Sequence, residues 1–245
     1  MVILGGDGTH RLAATACGTV PILALCAGTN NVFPHVREGT IAGIAAGLVA
    51  TGRISKSKVT ARNKVLCIQV DSKHHDLALV DVAVSSDLWI GSKALWRSET
   101  LSQIFVTFAE ASAIGLSSVA GLLQPVSRDA EYGLRIDLAL LETAAVIVNA
   151  PLAPGLIVPV GVSGVCEIQP GQPQTLGKRR GVIALDGERE IEFTPDQQVT
   201  VRLDLQGPYT IDIDRVMALT AREGILVSRR LDTMKESVAY ATQQS

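Results

Sequence analysis

The chain has 245 residues, of which 47% are hydrophobic and 19% are charged, and its formal net charge at pH 7 is −2. This composition supports a packed core and argues against disorder. It gives no basic stripe of the kind that nucleic-acid binding requires, because the one dense basic run covers only residues 178–180, so we expect no nucleic-acid partner.

Membrane and disulfide-rich classes are also disfavoured. No apolar stretch reaches the ~18 residues of a membrane span, so we expect no membrane partner. The four cysteines show no C-x-x-C spacing, which argues against a zinc or redox motif. Most of them lie in apolar runs and resemble small buried hydrophobic residues, which indicates a reducing compartment and hence a cytoplasmic protein.

The first 56 residues alternate short apolar runs with helical patterns. Residues 2–4 and 21–26 are predicted to be buried strands, each followed by glycines, and residues 9–16 and 39–52 are predicted to be helices. Strand, turn and helix, repeated twice, are typical of an open α/β sheet. We therefore predict an α/β domain over residues 1–56.

Beyond residue 56 the pattern changes to that of antiparallel β-structure. Residues 58–71 and 77–84 predict a hairpin around a polar turn at 72–76. The dipeptide Asp186-Gly187 is a second hairpin signal. Residues 92–108 fit a helix about as well as a helix followed by a strand.

The β-rich domain is predicted to extend over residues 57–212. The segment 151–159, which contains proline and glycine, is predicted to connect two of its strands. A C-terminal segment, 213–245, follows and opens with helical spacing at 213–221. The remaining predicted strands span residues 111–117, 133–138, 144–148, 182–185, 190–193, 199–205 and 209–213.

The first strand ends in a glycine-rich turn, Gly5-Gly6-Asp7-Gly8-Thr9, directly before a helix. Glycine lets the backbone approach a ligand, and a helix N-terminus offers free N–H groups and partial positive charge, so this turn suits a phosphate. A carboxylate there would repel a phosphate, unless it holds a divalent metal or removes a proton from an attacking hydroxyl. Asp7 is therefore the candidate catalytic residue. The alternative is an ordinary strand-to-helix turn in which Asp is only a turn former.

A second polar turn, Gly28-Thr29-Asn30-Asn31, follows the second strand. Ligands of open α/β folds bind at the carboxyl ends of neighbouring strands, so we expect both turns to face one crevice. His10, close after the first turn, could reach a phosphate, but a solvent-facing position on the helix is the favoured alternative. The predicted ligand-binding residues of the two turns are Gly5, Gly6, Gly8, Thr9, Gly28, Thr29, Asn30 and Asn31.

The first turn and its strand resemble the signature shared by NAD kinases, diacylglycerol kinases and sphingosine kinases. The second turn resembles the lipid-kinase pattern Gly-Thr-x-Asn, and Asp186-Gly187-Glu188 resembles a hairpin turn of the same superfamily. Taken with the run Leu79-Val80-Asp81-Val82, these motifs are most similar to the acetoin-catabolism protein X group of ATP–NAD-kinase-like proteins.

This resemblance implies both a fold and a chemistry. The fold is an α/β nucleotide-binding domain followed by a β-sandwich, with the C-terminal segment packed back on the first domain. The chemistry is phosphoryl transfer, with ATP and Mg²⁺ as cofactors and a hydroxyl of NAD, of another nucleotide or of a small metabolite as acceptor. We expect a small-molecule nucleotide as the partner, a homo-oligomer with β-domain contacts as in the relatives, and no set of metal-ligating residues in the chain itself.

Three departures from the family pattern bear on that chemistry. NAD kinases carry Asn-Glu in a β-domain strand that grips NAD, whereas Val80 takes the Asn position here and only an acid, Asp81, remains. A buried acid is costly unless it belongs to a site, so Asp81 is a further candidate binding residue, with a solvent-facing position as the alternative. The NAD-kinase stretch Thr-Pro-Thr-Gly-Ser-Thr-Ala-Tyr is matched by residues 115–121, which lack its Pro and Tyr.

The third departure concerns the α/β domain. In the family the glycine-rich strand is internal to that domain, whereas it begins here at residue 2, so we expect a partial, N-terminally truncated nucleotide-binding domain. An ATP–NAD-kinase-like phosphotransferase is one functional hypothesis. A non-catalytic nucleotide-binding accessory protein of acetoin catabolism is the second, and it fits the changed acceptor motifs. A purely oligomeric scaffold is the third.

Overall fold

A computed structural model describes residues 1–28, 31–86, 100–177, 179–187 and 189–228. The first elements are short and alternate between strand and helix. They are strand β1 (Val2–Gly5), helix α1 (Asp7–Ala16), strand β2 (Leu23–Cys26), helix α2 (Gly39–Ala50), helix α3 (Lys56–Val59) and strand β3 (Thr60–Arg62).

The part that follows is built almost entirely from strands. It contains β4 (Val65–Val70), β5 (Lys73–Ala78), β6 (Asp81–Ser85), β7 (Leu101–Val106), helix α4 (Ser117–Leu123), β8 (Gly133–Ala139), β9 (Val146–Ala153), β10 (Leu156–Ile168), β11 (Pro173–Thr175), β12 (Gly181–Leu185), β13 (Arg189–Phe193), β14 (Val199–Asp204) and β15 (Tyr209–Ile211). Helix α5 (Ile213–Arg222) closes the described chain.

The strands of this part form two large antiparallel sheets. One has seven strands in the order β13-β12-β6-β7-β8-β10-β9, and the other has four in the order β11-β14-β4-β5. Alternating apolar side chains of β4 and β14 face those of β6 and β12 across the gap, with Phe105 and Ile168 fully buried between the sheets. Packing of two inner faces in this way makes a β-sandwich.

The outer face of the seven-stranded sheet has its own apolar layer. Helix α4 lies on it, and Val119 and Ala120 pack with Ile104, Leu134 and Ile136 of the sheet. The seven-stranded sheet is therefore buried on both faces over its centre, which explains why the central strands are almost continuously apolar.

The α/β part is small. Strands β1 and β2 pair in parallel, and β2 continues into a bridge between Ile22 and Thr210 of β15. Helix α5 packs on α2, where Ile213 and Val216 meet Ala45 and Leu48. The end of the described chain thus contacts the first elements, while residues 229–245 of the predicted C-terminal segment lie outside the described residues.

Several predicted boundaries were wrong for identifiable reasons. The turn of the first hairpin is only Asp71-Ser72, both with positive φ, and the polar run after it forms strand β5. Because β5 is the edge strand of its sheet, polar side chains can face solvent there. Helix α1 starts at Asp7, two residues earlier than the helical spacing indicated.

Two predictions in the middle of the chain were also wrong. The predicted strand at 111–117 is instead a turn around Gly115, followed by helix α4, with the amide of Ser118 donating to the Gly115 carbonyl. The predicted connection at 151–159 lies mostly within β9 and β10, which run on to a turn at Gly155. Pro151 fits because β9 is an edge strand. Residues 92–99 of the ambiguous region lie outside the described residues, and residues 101–106 form strand β7.

No helix in the described ranges has both the length and the apolar character needed to cross a membrane.

Two helix glycines give a matched test of this packing. A Cβ at Gly121 of α4 would overlap the carbonyl group of Glu110, whereas a Cβ at Gly43 of α2 would meet nothing within 4 Å. We expect Gly121→Ala to lower the free energy of unfolding by about 1–3 kcal/mol, as overpacking does. Gly43→Ala should raise it by about 1 kcal/mol, because alanine is the better helix former. Urea denaturation measures both, and equal effects of the two variants would contradict the packing of α4.

Candidate functional site

The glycine-rich turn places a helix N-terminus at the end of β1. Gly5 is required there, because a Cβ would lie 2.7 Å from the Cβ of Thr9. Gly6 is the N-cap residue of α1 and makes no side-chain cap. The amides of Gly8 and Thr9, in the first turn of α1, meet no acceptor among the residues that the structure describes. Free amides at a helix start are suited to an anion.

Asp7 lies at the first position of α1 and is 8% exposed. Its carboxylate accepts hydrogen bonds from the amide of Phe33 at 2.9 Å and from the amide of Val32 at 3.0 and 3.2 Å. The Asp7 amide in turn donates to Oδ1 of Asn31 at 3.2 Å. Through these hydrogen bonds Asp7 connects the second polar turn to the first, in addition to any chemical role.

Arg128, from the loop after α4, binds the opposite side of the same dipeptide. Its guanidinium donates to the carbonyl oxygens of Val32 at 2.6 Å and Phe33 at 3.0 Å. It also donates to the carboxylate of Glu110 at 2.9 Å and lies over the ring of Phe108, 4.0 Å from the centroid. The second turn is thus connected to the β-rich part as well as to α1.

Two further acids come from the β-rich part. Asp81 begins β6 and is 8% exposed, and its carboxyl group lies near the backbone amide of Ser117. Asp186 has positive φ in the turn between β12 and β13, and its carboxylate accepts from the amides of Leu79 at 2.9 Å and Val80 at 2.8 Å. It also accepts from the amide of Asp81 at 3.2 Å, which holds the start of β6 in place.

The three aspartates interact through space. Burial raises the pKa of Asp81 well above its ordinary value, and the charges of Asp186 and Asp7 raise it further. Burial raises the pKa of Asp186 to about 7, although three backbone amides oppose that rise and the charge of Asp7 adds to it. Burial likewise raises the pKa of Asp7, against the amides of Val32 and Phe33 and the charges of His10 and Arg128. Perturbed acids that meet in one place are typical of functional sites.

Two buried polar atoms beside these acids lack a partner in the described chain. His10 is fully buried, its Nδ1 lies 2.7 Å from the Gly6 carbonyl oxygen, and its Nε2 is unbonded. The expectation that His10 faces solvent was therefore wrong, because its ring packs 5.9 Å from that of Phe33. The hydroxyl of Ser117 is also buried and unbonded. Orphaned polar groups of this kind call for an explanation such as a ligand.

The predicted site residues are placed as follows. The first-turn residues and Asn31 meet around the start of α1, and Asp81 lies near enough to Asp7 to shift its own pKa. Gly28 has φ of 144° and lies at the end of β2, with Asn31 near its α-carbon. Thr29 and Asn30 lie outside the described residues. No group of three or more His, Cys, Asp and Glu side chains in the described ranges is arranged to hold a metal ion.

Sequence reasoning missed Asp186 and Arg128 as members of the site. Asp186 carried a signal, since its Asp-Gly turn resembles a family motif, but only its role as a hairpin turn was predicted. Arg128 carried none, because it comes from a loop about a hundred residues away from the dipeptide that it binds. Its role depends entirely on tertiary structure.

Comparison with known proteins identifies the family. The model of the acetoin catabolism protein X C-terminal domain matches residues 64–206. The chain belongs to the acetoin catabolism protein X family. It is 45% identical over 232 residues to acetoin catabolism protein X of Cupriavidus necator, a match that covers 93% of this chain and 65% of that protein. The chain therefore spans a little under two thirds of this curated relative.

A solved structure shares the fold. The structure is similar to yeast NADH kinase complexed with NADH, with a TM-score of 0.55, 13% sequence identity, and coverage of 94% of this chain and 67% of that one. An NAD kinase from Archaeoglobus fulgidus in complex with ATP aligns with a TM-score of 0.46 at 13% identity, over 90% of this chain and 80% of that one. The predicted family resemblance and the predicted fold class, a small α/β part followed by a β-sandwich, are confirmed.

The buried acids predict how stability depends on pH. An acid whose pKa is raised by folding stabilises the folded state fully below its unfolded pKa, about 4 for Asp, and loses that contribution as the pH rises through its folded pKa. The free energy of unfolding should therefore gain a falling component between about pH 4 and pH 7 from Asp186, whose pKa is about 7, and from Asp81. Asp81→Asn should make that decrease shallower by up to about 1.4 kcal/mol per pH unit.

Urea denaturation at a series of pH values measures this slope. Asp196→Asn is the matched control, since Asp196 is an exposed turn residue of the same part of the chain. A slope that changes equally in both variants would show that Asp81 is not a buried acid of raised pKa.

Proposed function

We propose that the chain carries the phosphoryl-transfer site of an ATP-dependent kinase of the NAD-kinase superfamily. The observation that carries the proposal is the meeting of free helix amides at Gly8 and Thr9 with the carboxyl group of Asp7, at the edge where the α/β part contacts the β-rich part. Amides of this kind suit phosphate oxygens, and a carboxylate beside them can accept the proton of an attacking hydroxyl.

In this proposal Asp7 is the general base. Its raised pKa brings its proton affinity closer to neutral pH than that of an exposed aspartate, which favours proton transfer. The amides of Val32 and Phe33 fix the orientation of its carboxylate. The proton passes from the acceptor hydroxyl to a carboxylate oxygen of Asp7 as the hydroxyl oxygen attacks the γ-phosphorus of ATP. The bond between that phosphorus and the oxygen that bridges it to the β-phosphate breaks, and ADP leaves.

The proposed cofactors are ATP and Mg²⁺, and NAD is a candidate acceptor. Yeast NADH kinase, which shares the fold, was solved with NADH. Free amides at the start of α1 fit phosphate groups, whereas the described side chains offer no ready-made metal site. Mg²⁺ would therefore be held mainly by the phosphates, where it supplies neutralisation of their charge. Gly5, Gly6, Gly28 and Asn31 would shape this site, and Asp81 would face the acceptor.

The alternative is a nucleotide-binding accessory protein of acetoin catabolism without catalytic activity. The observation that favours it is that both oxygens of the Asp7 carboxylate are already bonded to backbone amides. In that case Asp7 serves only to hold the second turn. The family name fits this role, and the four free cysteines suit the reducing cytoplasm in which we place the protein.

Replacing Asp7 by asparagine separates the two functions. Asparagine keeps one oxygen for the amide of Phe33 but cannot take a proton, so turnover should fall by about 100-fold or more. The measurement is ADP formation with ATP, Mg²⁺ and NAD, together with the nucleotide-induced rise in melting temperature. Binding retained with turnover lost supports the kinase. Nucleotide binding by the unaltered chain with no product formed supports the accessory protein, and Asp196→Asn controls for a general loss of charge.

We also propose that the chain forms a homo-oligomer through the outer strand of the seven-stranded sheet. Strand β9 pairs with β10 on one side and, among the described residues, with no strand on the other. Large apolar side chains are exposed at this edge, namely Val146 and Ile147 on β9 and Ile157 on β10. A second copy of the chain can pair with the same edge about a two-fold axis. Such pairing would cover the unpaired edge of β9 and the apolar side chains of both copies.

A charge on this edge should disrupt the oligomer. We expect Ile147→Lys to shift the molecular mass measured by light scattering towards the monomer, because a buried lysine in the paired edge would lose its hydration. Val36→Lys, at an even more exposed apolar position in the loop after the second turn, is the control and should leave the mass unchanged. A monomer in the unaltered chain would refute this interface outright.

A further inference from the structure

A cleft of about 270 Å³ lies on the far side of the Val32-Phe33 dipeptide from Asp7. Six parts of the chain line it: strand β2, the segment after the second turn, strand β3, the loop that carries Arg128, strand β15 and the start of α5. None of the residues predicted as a site contributes to it. Its polar side chains include His35, Arg37, Arg62, Asn63 and Arg128.

The partners of the three arginines differ in kind. Arg37 forms an ion pair with Asp214, whose side chain is largely exposed, and Arg128 pairs with Glu110. Arg62 has only uncharged contacts among the described residues. It donates to the carbonyl oxygens of Gly207 at 3.3 Å and Gln206 at 3.4 Å, and it lies 5.0 Å from the centre of the Tyr209 ring. Long bonds to carbonyl groups leave most of its charge unneutralised.

The acids of the cleft are each engaged. Asp212 caps α5 by accepting from the amide of Arg215 at 3.0 Å, and Asp214 is paired with Arg37. The charge of Asp129 acts on Lys64: burial lowers the pKa of this lysine, and Asp129 opposes that lowering. Among the described residues, none of these acids forms an ion pair with Arg62.

His35 lies within the field of two of the arginines. The pKa of His35 is lowered first by burial and then by the charges of Arg128 and Arg37, which the charges of Glu110 and Asp214 oppose. Burial disfavours a charge of either sign, whereas the two arginines disfavour only a positive one, and the neutral imidazole can still donate one N–H group to a ligand.

We propose that this cleft binds the phosphate group of a small phosphorylated metabolite. Guanidinium groups match phosphate oxygens with paired N–H donors. Arg62 at the cleft can provide them directly, and Arg37 can do so by exchanging its contact with the largely exposed carboxylate of Asp214. The apolar lining of Phe33, Ile211 and Ile213 accommodates the organic part of the ligand. The volume is smaller than the ~300–1,000 Å³ of pockets for drug-sized ligands, which favours a phosphate ester smaller than a dinucleotide.

The cleft is connected to Asp7 through Arg128 and the Val32-Phe33 dipeptide. Arg128 lines the cleft and holds the carbonyl oxygens of Val32 and Phe33, whose amides hold Asp7. A ligand that draws on Arg128 therefore acts on the same dipeptide that positions Asp7. The phosphate belongs either to the far end of a substrate of the proposed kinase or to a separate effector, and the two sources share this recognition chemistry.

The test uses inorganic phosphate as the probe, on the whole chain. Titration calorimetry at constant ionic strength, with chloride in the reference buffer, should detect phosphate binding. Arg62→Met and Arg37→Met should each weaken it by roughly tenfold or more, because each removes charged hydrogen bonds to the anion. Arg202→Met is the matched control, since Arg202 pairs with Asp204 on β14 and does not line the cleft.

Arg62→Lys is the control for loss of structure in Arg62→Met. It retains the positive charge and should recover part of the phosphate affinity. Absence of phosphate binding in the unaltered chain, or equal losses in Arg62→Met and Arg202→Met, would overturn the proposal. Phosphate binding is read by calorimetry and kinase turnover by ADP formation, both on the unaltered chain, so failure of the proposed kinase and failure of this cleft give different results. Displacement of phosphate by ATP assigns the cleft to a substrate, whereas simultaneous binding assigns it to an effector, and both outcomes require the cleft.

Discussion

One dipeptide, Val32-Phe33, is held from both sides, and the geometry of the site depends on it. The carboxylate of Asp7 accepts its amides, and the guanidinium of Arg128 donates to its carbonyl groups. Hydrogen bonds with a charged partner are worth about 1.5–3 kcal/mol each, so this double attachment exceeds an ordinary loop contact. It connects helix α1 with the loop that follows α4, and thereby sets the distance between the α/β part and the β-rich part.

A second attachment keeps α1 in register with the sandwich. Arg11, on the first turns of α1, donates to both carboxylate oxygens of Asp76 on β5 at 2.9 Å, and both side chains are nearly buried. A buried ion pair of this kind contributes little net stability, but it is costly to misplace. Together with the apolar cluster of Phe33, Leu79, Val80 and Phe108, it fixes Asp7 beside the acids of the β-rich part. The raised pKa values of those acids follow from this enforced proximity and from burial.

The sequence predicted local features well and tertiary ones poorly. The glycine turn between β1 and α1 could be predicted, although not the first residue of α1, because such a turn is a local requirement that a Cβ at Gly5 would violate. The Asp186-Gly187 turn could be predicted for the same reason, since both residues have positive φ. The burial of His10, the edge position of β5 and the reach of Arg128 could not, because each depends on segments distant in the sequence. Likewise Pro151 indicated a connection, and only the sheet order reveals that it lies on an edge strand.

The changed acceptor motif now has a physical account. Val80 occupies the position at which the family resemblance implies an asparagine that grips NAD, and its side chain is only 1% exposed within an apolar cluster that includes Leu79. Its amide is bonded to Asp186, so the backbone at this point is also occupied. A valine packed in this way offers no hydrogen bond to an acceptor. The polar groups of the neighbouring acid cluster, the carboxyl group of Asp81 and the unbonded hydroxyl of Ser117, are themselves buried. The acceptor of the proposed kinase is therefore not held at Val80 by the amide contact that the resemblance implied.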